Sequence, residues 1–167
     1  NLRCEWCDTD FLQYVKMSAK QIIAEVEKYP CKNIVFTGGE PMLNNLWPMR
    51  RLLKQHGYHF SIETNGTIQI DNGLIDWICV SPKDQLYPNA KIKQRTGNEL
   101  KCVYVGQDLS MYDELIDGFE HLFLQPCYVD TESVQWNGRN FSHTESIVKQ
   151  NPRWRLSLQT HKWMGID

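Results

Sequence analysis

The sequence predicts an α/β fold with parallel strands, and three observations carry that prediction. Short apolar runs alternate with stretches of helical periodicity from Ser18 to Leu158, and strands separated by helices or long crossovers pair in parallel. Glycines, prolines and reactive polar side chains gather where each apolar run stops. The 167 residues, 41% of them hydrophobic, are enough to bury one core, so a single domain over 1–167 is expected.

The elements follow in order. Ser18 followed by Gln21 is a capping-box signature, and Ala19, Ile22, Ile23 and Val26 recur at helical spacing, which predicts an amphipathic helix over 18–29 ended by Pro30. Asn33-Ile34-Val35-Phe36 reads as a buried strand that breaks into Thr37-Gly38-Gly39-Glu40-Pro41. Leu46, Met49, Leu52 and Leu53 mark one face of a second helix over 43–56, closed by Gly57. Tyr58 to Glu63 alternates as a strand into the turn Thr64-Asn65-Gly66. Leu74 to Val80 passes through a short helical or irregular piece and a strand into Ser81-Pro82-Lys83, and 84–98 is polar enough to read as loop rather than helix.

Leu100 to Val105 is the next strand. A third helix is expected after Asp108 or Ser110, with Leu109, Tyr112, Leu115, Ile116 and Phe119 as its apolar positions. His121 to Leu124 is a strand ending in Gln125-Pro126-Cys127-Tyr128. Residues 129–140 are polar and read as irregular, Ser142 with Glu145 opens a helix to Gln150, and Arg153 to Leu158 is the last strand, before Gln159-Thr160-His161-Lys162.

Five loops at strand ends therefore carry the unusual residues: Thr37 to Pro41, Glu63 to Gly66, Ser81 to Lys83, Gln125 to Tyr128 and Gln159 to Lys162. Parallel sheets and barrels place ligands at the carboxyl ends of their strands. One composite site is the economical reading. The formal net charge of −2, with Lys and Arg spread along the chain, argues against a nucleic-acid surface. No apolar run is long enough to cross a membrane, and six cysteines without a disulfide pattern suggest reduced thiols in the cytoplasm.

At the start of the chain stands Cys4-Glu5-Trp6-Cys7-Asp8-Thr9. A Cys-x2-Cys pair can be half a zinc site or a redox dithiol. Zinc would need further ligands at suitable spacing, and Cys31, Cys79, Cys102 and Cys127 are scattered singly. The pair also resembles the Cys-x3-Cys-x2-Cys motif of the radical S-adenosylmethionine (SAM) enzymes. On that spacing Cys4 and Cys7 are the second and third ligands of an iron–sulfur cluster, and the first falls immediately before Asn1. The expectation is a radical SAM core domain lacking its N-terminal strand and its first cluster cysteine.

Seven stretches in this order, Cys-Glu-Trp-Cys-Asp-Thr, Thr-Gly-Gly-Glu-Pro, Glu-Thr-Asn-Gly, Ser-Pro-Lys, Glu-Leu-Lys, Leu-Gln-Pro and Leu-Gln-Thr-His-Lys, resemble the 7-carboxy-7-deazaguanine synthase family across nearly the whole chain. The resemblance implies a partial, modified radical SAM (β/α) barrel with parallel strands. It implies a 4Fe-4S cluster, SAM and Mg2+ as cofactors, and conversion of 6-carboxy-5,6,7,8-tetrahydropterin to 7-carboxy-7-deazaguanine and ammonia on the route to queuosine. A reductant such as flavodoxin or ferredoxin and a homodimer are implied too, with no nucleic-acid or membrane partner. The alternatives are another radical SAM enzyme, such as a glycyl-radical activase sharing Glu-Thr-Asn-Gly, or a non-catalytic fragment.

Residue roles come with the resemblance. Thr9 would ligate Mg2+, a hard cation that suits a hydroxyl oxygen; read alone, Thr9 or Asp8 caps a turn. Gly39 and Glu40 would receive the SAM amino group, glycine by close approach and the carboxylate by accepting hydrogen bonds, and Thr37 would contact substrate. Ser81, Pro82 and Lys83 would hold the SAM carboxylate or ribose, although a lone lysine is more often solvated. Gln125, Pro126, Cys127 and Tyr128 match a SAM-binding stretch in which the Gln amide can read the adenine or ribose edge, with Cys127 a packing residue rather than a cluster ligand. Glu63 and Asn65 fall between SAM and pterin by loop order or else cap their turn. His161 would face the pterin or serve structure, and Asp167 at the C-terminus would contact substrate.

Overall fold

The computed structural model describes residues 1–7, 9, 12 and 14–165, the Trp163 side chain excepted. Helix α1, Ala19–Val26, begins at the expected capping box: Gln21 N–H donates to Ser18 Oγ at 3.4 Å while Ser18 N–H donates back to Gln21 Oε1 at 2.8 Å. Strand β1, Asn33–Phe36, leads into a 3-10 turn at Pro41–Leu43. Helix α2, Trp47–Leu53, is shorter than the expected 43–56, because Pro48 fixes its first turn and the end tightens into a 3-10 turn before Gly57 at φ 75°. Strands β2, His59–Thr64, and β3, Trp77–Val80, follow as expected.

Strand β4, Gly97–Tyr104, starts inside the segment expected to be loop. The third helix expected after Asp108 is replaced by two 3-10 turns, Leu109–Tyr112 and Ile116–Gly118. The i, i+3 recurrence that suggested a helix serves a 3-10 turn equally well, and Tyr112 and Leu115 are buried by it all the same. Gly118 fixes the geometry. A Cβ there would stand 2.2 Å from the Arg95 carbonyl oxygen, so only glycine lets the chain pass that close on its way into strand β5, Phe119–Pro126.

Helix α3, Val134–Gln150, corrects the sequence reading most. It begins eight residues before Ser142, with Ser133 as its cap, receiving Trp136 N–H at 3.1 Å. Its buried positions are Asn137 and Thr144, polar residues that hide the apolar stripe. Both are satisfied: Asn137 accepts from Val129 N–H at 3.0 Å and donates to Val129 O at 3.1 Å, and Thr144 Oγ1 donates to Asn140 O at 2.8 Å. Ser142 is mid-helix, donating to Gly138 O. Strand β6, Trp154–Leu156, and helix α4, Thr160–Met164, complete the described chain.

The six strands form one sheet in the order β1-β2-β3-β4-β5-β6, every pair parallel. Sequential order with right-handed crossovers sends all connections over one face. Two apolar clusters fill that face. Leu53, Phe60 and Ile62 meet α1 and α2; Leu100, Leu122, Leu124 and Trp154 meet the 3-10 segment, and Ile147 and Val148 of α3 pack against them. Arg50 of α2 is buried in the first, forking onto Asp76 with two 2.5 Å hydrogen bonds, while Asp76 Oδ2 also accepts from Phe60 N–H at 2.9 Å. The opposite face carries the alternate residues of each strand, among them Val35, Glu63, Lys101, Phe123 and Arg155. This is the layout of a partial (β/α) barrel, and among the described residues no helix is long and apolar enough to cross a membrane.

Candidate active site at the strand carboxyl ends

The strand-end loops meet around a cavity of about 600 Å³. Thr37, Gly38 and Gly39 after β1, Glu63 to Asn65 at the end of β2, Ser81 and Lys83 after β3, Gln125 to Tyr128 without Pro126, and Gln159 to His161 all border it. Cys4, Cys7 and Thr9 border it from the N-terminal segment. The composite site expected from loop order is therefore one space. Three expected residues stand back from it: Glu40, Pro82 and Pro126 do not line the cavity, and Asp167 lies outside the described residues.

Glu40 differs most from its expected role. Its side chain is 4% exposed, and both oxygens are taken: Oε1 accepts from Met42 N–H at 3.0 Å and Thr64 Oγ1 at 2.8 Å, and Oε2 accepts from Asn65 N–H at 2.8 Å. Three of the carboxylate's roughly four acceptor positions are thus taken within the protein. Glu40 ties the Thr37–Pro41 loop to the Glu63–Gly66 loop, a buried charge compensated by hydrogen bonds. Asn65 resolves toward its turn reading, with Oδ1 accepting from Thr67 N–H at 3.0 Å, and its amide also reaches Asn1 Oδ1 at 2.9 Å.

Lys83 sits under the Ser81 loop, its ammonium donating to Ser81 O and Oγ, each at 2.7 Å. Burial lowers its pKa, and the Cys4 thiol opposes that shift. Burial likewise pushes the Cys4 thiol up while Lys83 draws it back, so cation and sulfur are neighbours that stabilise each other's charged form. Cys4 and Cys7 share one turn, closed by Cys7 N–H on Cys4 O at 3.0 Å. Burial pushes the Cys127 thiol up to about 11, which keeps it protonated and suits its packing role.

Two thiols on one tight turn at a cavity edge are a donor set that an iron–sulfur cluster accepts. Among the described residues no group of three or more His, Cys, Asp or Glu gathers to hold a metal ion, so the pair supplies part of a ligand set. Thr9 brings a hydroxyl to the same cavity.

The sequence reading gave Lys101 of β4 no role, although Glu-Leu-Lys was among the matched stretches. Its ammonium reaches Glu63 Oε1 at 2.6 Å and both residues line the cavity. Burial opposes the Lys101 charge, but Cys79 and Glu63 outweigh it, and its pKa is raised. Ser157 also lines the space. Strand alternation through Glu99 and Lys101 was the signal available for Lys101; Ser157 had none beyond proximity to Gln159.

Comparison with known proteins bears on this arrangement. The radical SAM superfamily model matches residues 1–78. The 7-carboxy-7-deazaguanine synthase of Bacteroides thetaiotaomicron is 41% identical over 99% of this chain and 82% of its own length. This chain belongs to the 7-carboxy-7-deazaguanine synthase family. The synthase of Neisseria meningitidis is 33% identical over the whole chain and 81% of its own length. The crystal structure of QueE from Escherichia coli superposes with a TM-score of 0.61 at 30% identity, covering 86% of this chain, which spans 64% of that chain. Membership of the 7-carboxy-7-deazaguanine synthase family makes this a radical SAM chain, with a 4Fe-4S cluster and SAM as cofactors and a small molecule as substrate. It also sets aside the glycyl-radical activases.

Proposed function

We propose that the protein performs the reaction for which its family is named, converting 6-carboxy-5,6,7,8-tetrahydropterin to 7-carboxy-7-deazaguanine and ammonia for queuosine biosynthesis. The observation that carries this reading is the convergence of the Cys4–Cys7 turn and all five strand-end loops on one cavity. Product and ammonia together have the atoms of the substrate, so no net oxidant is needed. The cluster and SAM, when bound, supply a 5′-deoxyadenosyl radical, which is the cofactors' own chemistry.

The chain's residues bind, orient and exclude water. Cys4 and Cys7 hold the cluster. The Gly39 backbone takes the SAM amino group, Ser81 and Lys83 its carboxylate or ribose, and Gln125 to Tyr128 its nucleoside end. Thr37, Glu63 and His161 face the pterin, and Thr9 offers a hard oxygen to Mg2+. Lys101 holds Glu63 by the 2.6 Å ion pair at the cavity wall, where a carboxylate can accept the pterin's N–H donors. A flavodoxin or ferredoxin as reductant, and a homodimer, complete the reading. All six cysteines are free, as a reducing cytoplasm would keep them.

The test is anaerobic reconstitution of the natural full-length chain, followed by SAM, dithionite, Mg2+ and 6-carboxytetrahydropterin, with product read by mass. About four irons per chain and a 7-carboxy-7-deazaguanine signal support the proposal. SAM cleavage with the pterin left intact would overturn the substrate. Activity unchanged by replacing Mg2+ with Na+ would remove the Thr9 role.

A further inference from the structure

The polar segment 84–98 contains one residue that reaches back to the cysteine turn. Tyr87 Oη donates to the Arg3 carbonyl oxygen at 2.5 Å, across 84 positions of chain. Its own backbone is fixed to the Ser81–Lys83 loop: Tyr87 N–H donates to Lys83 O at 3.0 Å, and Ala90, which is buried, donates its N–H to Tyr87 O at 2.7 Å. The chain leading into the turn is held separately, by Asn1 between Asn65 and Thr67. Two clamps thus hold the segment that carries Cys4, and Tyr87 is the one that joins it to the Lys83 loop.

We propose that Tyr87 is a positioning residue for the iron–sulfur cluster, pinning the Arg3–Cys4 peptide to the loop that carries Ser81 and Lys83. The inference rests on the cluster reading above. Cys4 on its turn has few other restraints among the described residues, since Arg3 and Glu5 are exposed or nearly so. A partner that orients a ligand governs how firmly the metal is held and, through the dipoles around the cluster, its reduction potential.

The experiment uses the natural full-length protein, reconstituted anaerobically, as wild type and as Tyr87→Phe, with Tyr29→Phe as an exposed-tyrosine control. Loss of cluster absorbance to a chelator, the reduction potential read by EPR titration, and the melting temperature of the metal-free chain are measured. Tyr87→Phe is expected to lose its cluster about tenfold faster and to shift its potential away from the wild-type value as the Cys4 peptide is released, with the metal-free melting temperature unchanged and Tyr29→Phe matching wild type. Equal cluster loss and equal potential in Tyr87→Phe and wild type would overturn the inference, even if product forms. Wild type that holds the cluster and shows the Tyr87 effect but makes no product would leave the inference standing and sink the proposed substrate. A full-length chain that holds no iron overturns both.

Discussion

Both oxygens of Glu40 are occupied by donors from two loops, Met42 N–H on one side and Thr64 Oγ1 with Asn65 N–H on the other. Glu40→Gln keeps the size but turns one acceptor into a donor facing these groups, so it should cost about 2 kcal/mol of stability in urea unfolding and weaken SAM binding through the displaced Gly39 loop. The Arg50–Asp76 pair gives a second expectation. The Arg50 hydrogen bonds, against partial burial and with help from the Phe60 N–H, hold the Asp76 carboxyl below the usual carboxylate range. A folded-state pKa below the unfolded value of about 4 means that this stability is fully present above pH 4 and is lost as pH falls through the depressed folded value. Asp76→Asn should therefore cost about 2 kcal/mol at pH 7, less than a fully buried pair because the Asp76 side chain is 29% exposed. The gap to wild type should narrow in denaturation series taken below pH 4. At this scale the sequence was legible where residue identity carries chemistry by itself: Thr37, Ser81, Lys83 and Gln125 all reach the cavity. The bonding of Glu40 was not legible, because a motif records which residue stands in a loop and not which of its atoms are already bonded.

Among the elements, α3 is the instructive one. Its buried Asn137 and Thr144 bond to neighbouring backbone, so the apolar stripe by which a helix is recognised is broken at the positions that face the core. Ser133 is its true start. Ser133→Ala removes the bond to Trp136 N–H and is expected to cost about 1 kcal/mol, whereas Ser142→Ala, at the start expected from sequence, should change the unfolding midpoint very little. The two 3-10 turns that replace the expected third helix show the reverse error, an i, i+3 pattern satisfied by a tighter coil. Strands were read more faithfully, because alternation on a half-covered sheet leaves a period of two in the sequence itself.

Across the whole molecule, order in the sheet is uneven. Strands β4 and β5 pair along nearly their full eight-residue lengths over buried Leu100, Leu122 and Leu124, while α1 buries none of its residues and β1, among the described residues, pairs with β2 alone. Amide hydrogen exchange should accordingly be slowest at Leu100 to Val103 and Leu122 to Leu124, and faster by orders of magnitude through 19–36; uniform protection would contradict this. The parallel sheet was legible because strand and helix signals alternate, but the cavity's depth was not: alternation puts Lys101 on a face without saying what it faces, and Ser157 follows the last strand with no signal of its own. The strand order has a consequence for how the protein is made. Every strand pairs with its sequence neighbours alone, so a chain emerging from the ribosome can add each strand to the edge left by the last, without waiting for a distant segment to be synthesised. The loop after each strand is then in place before the next arrives, and the ligand cavity is assembled one wall at a time from the N-terminal side.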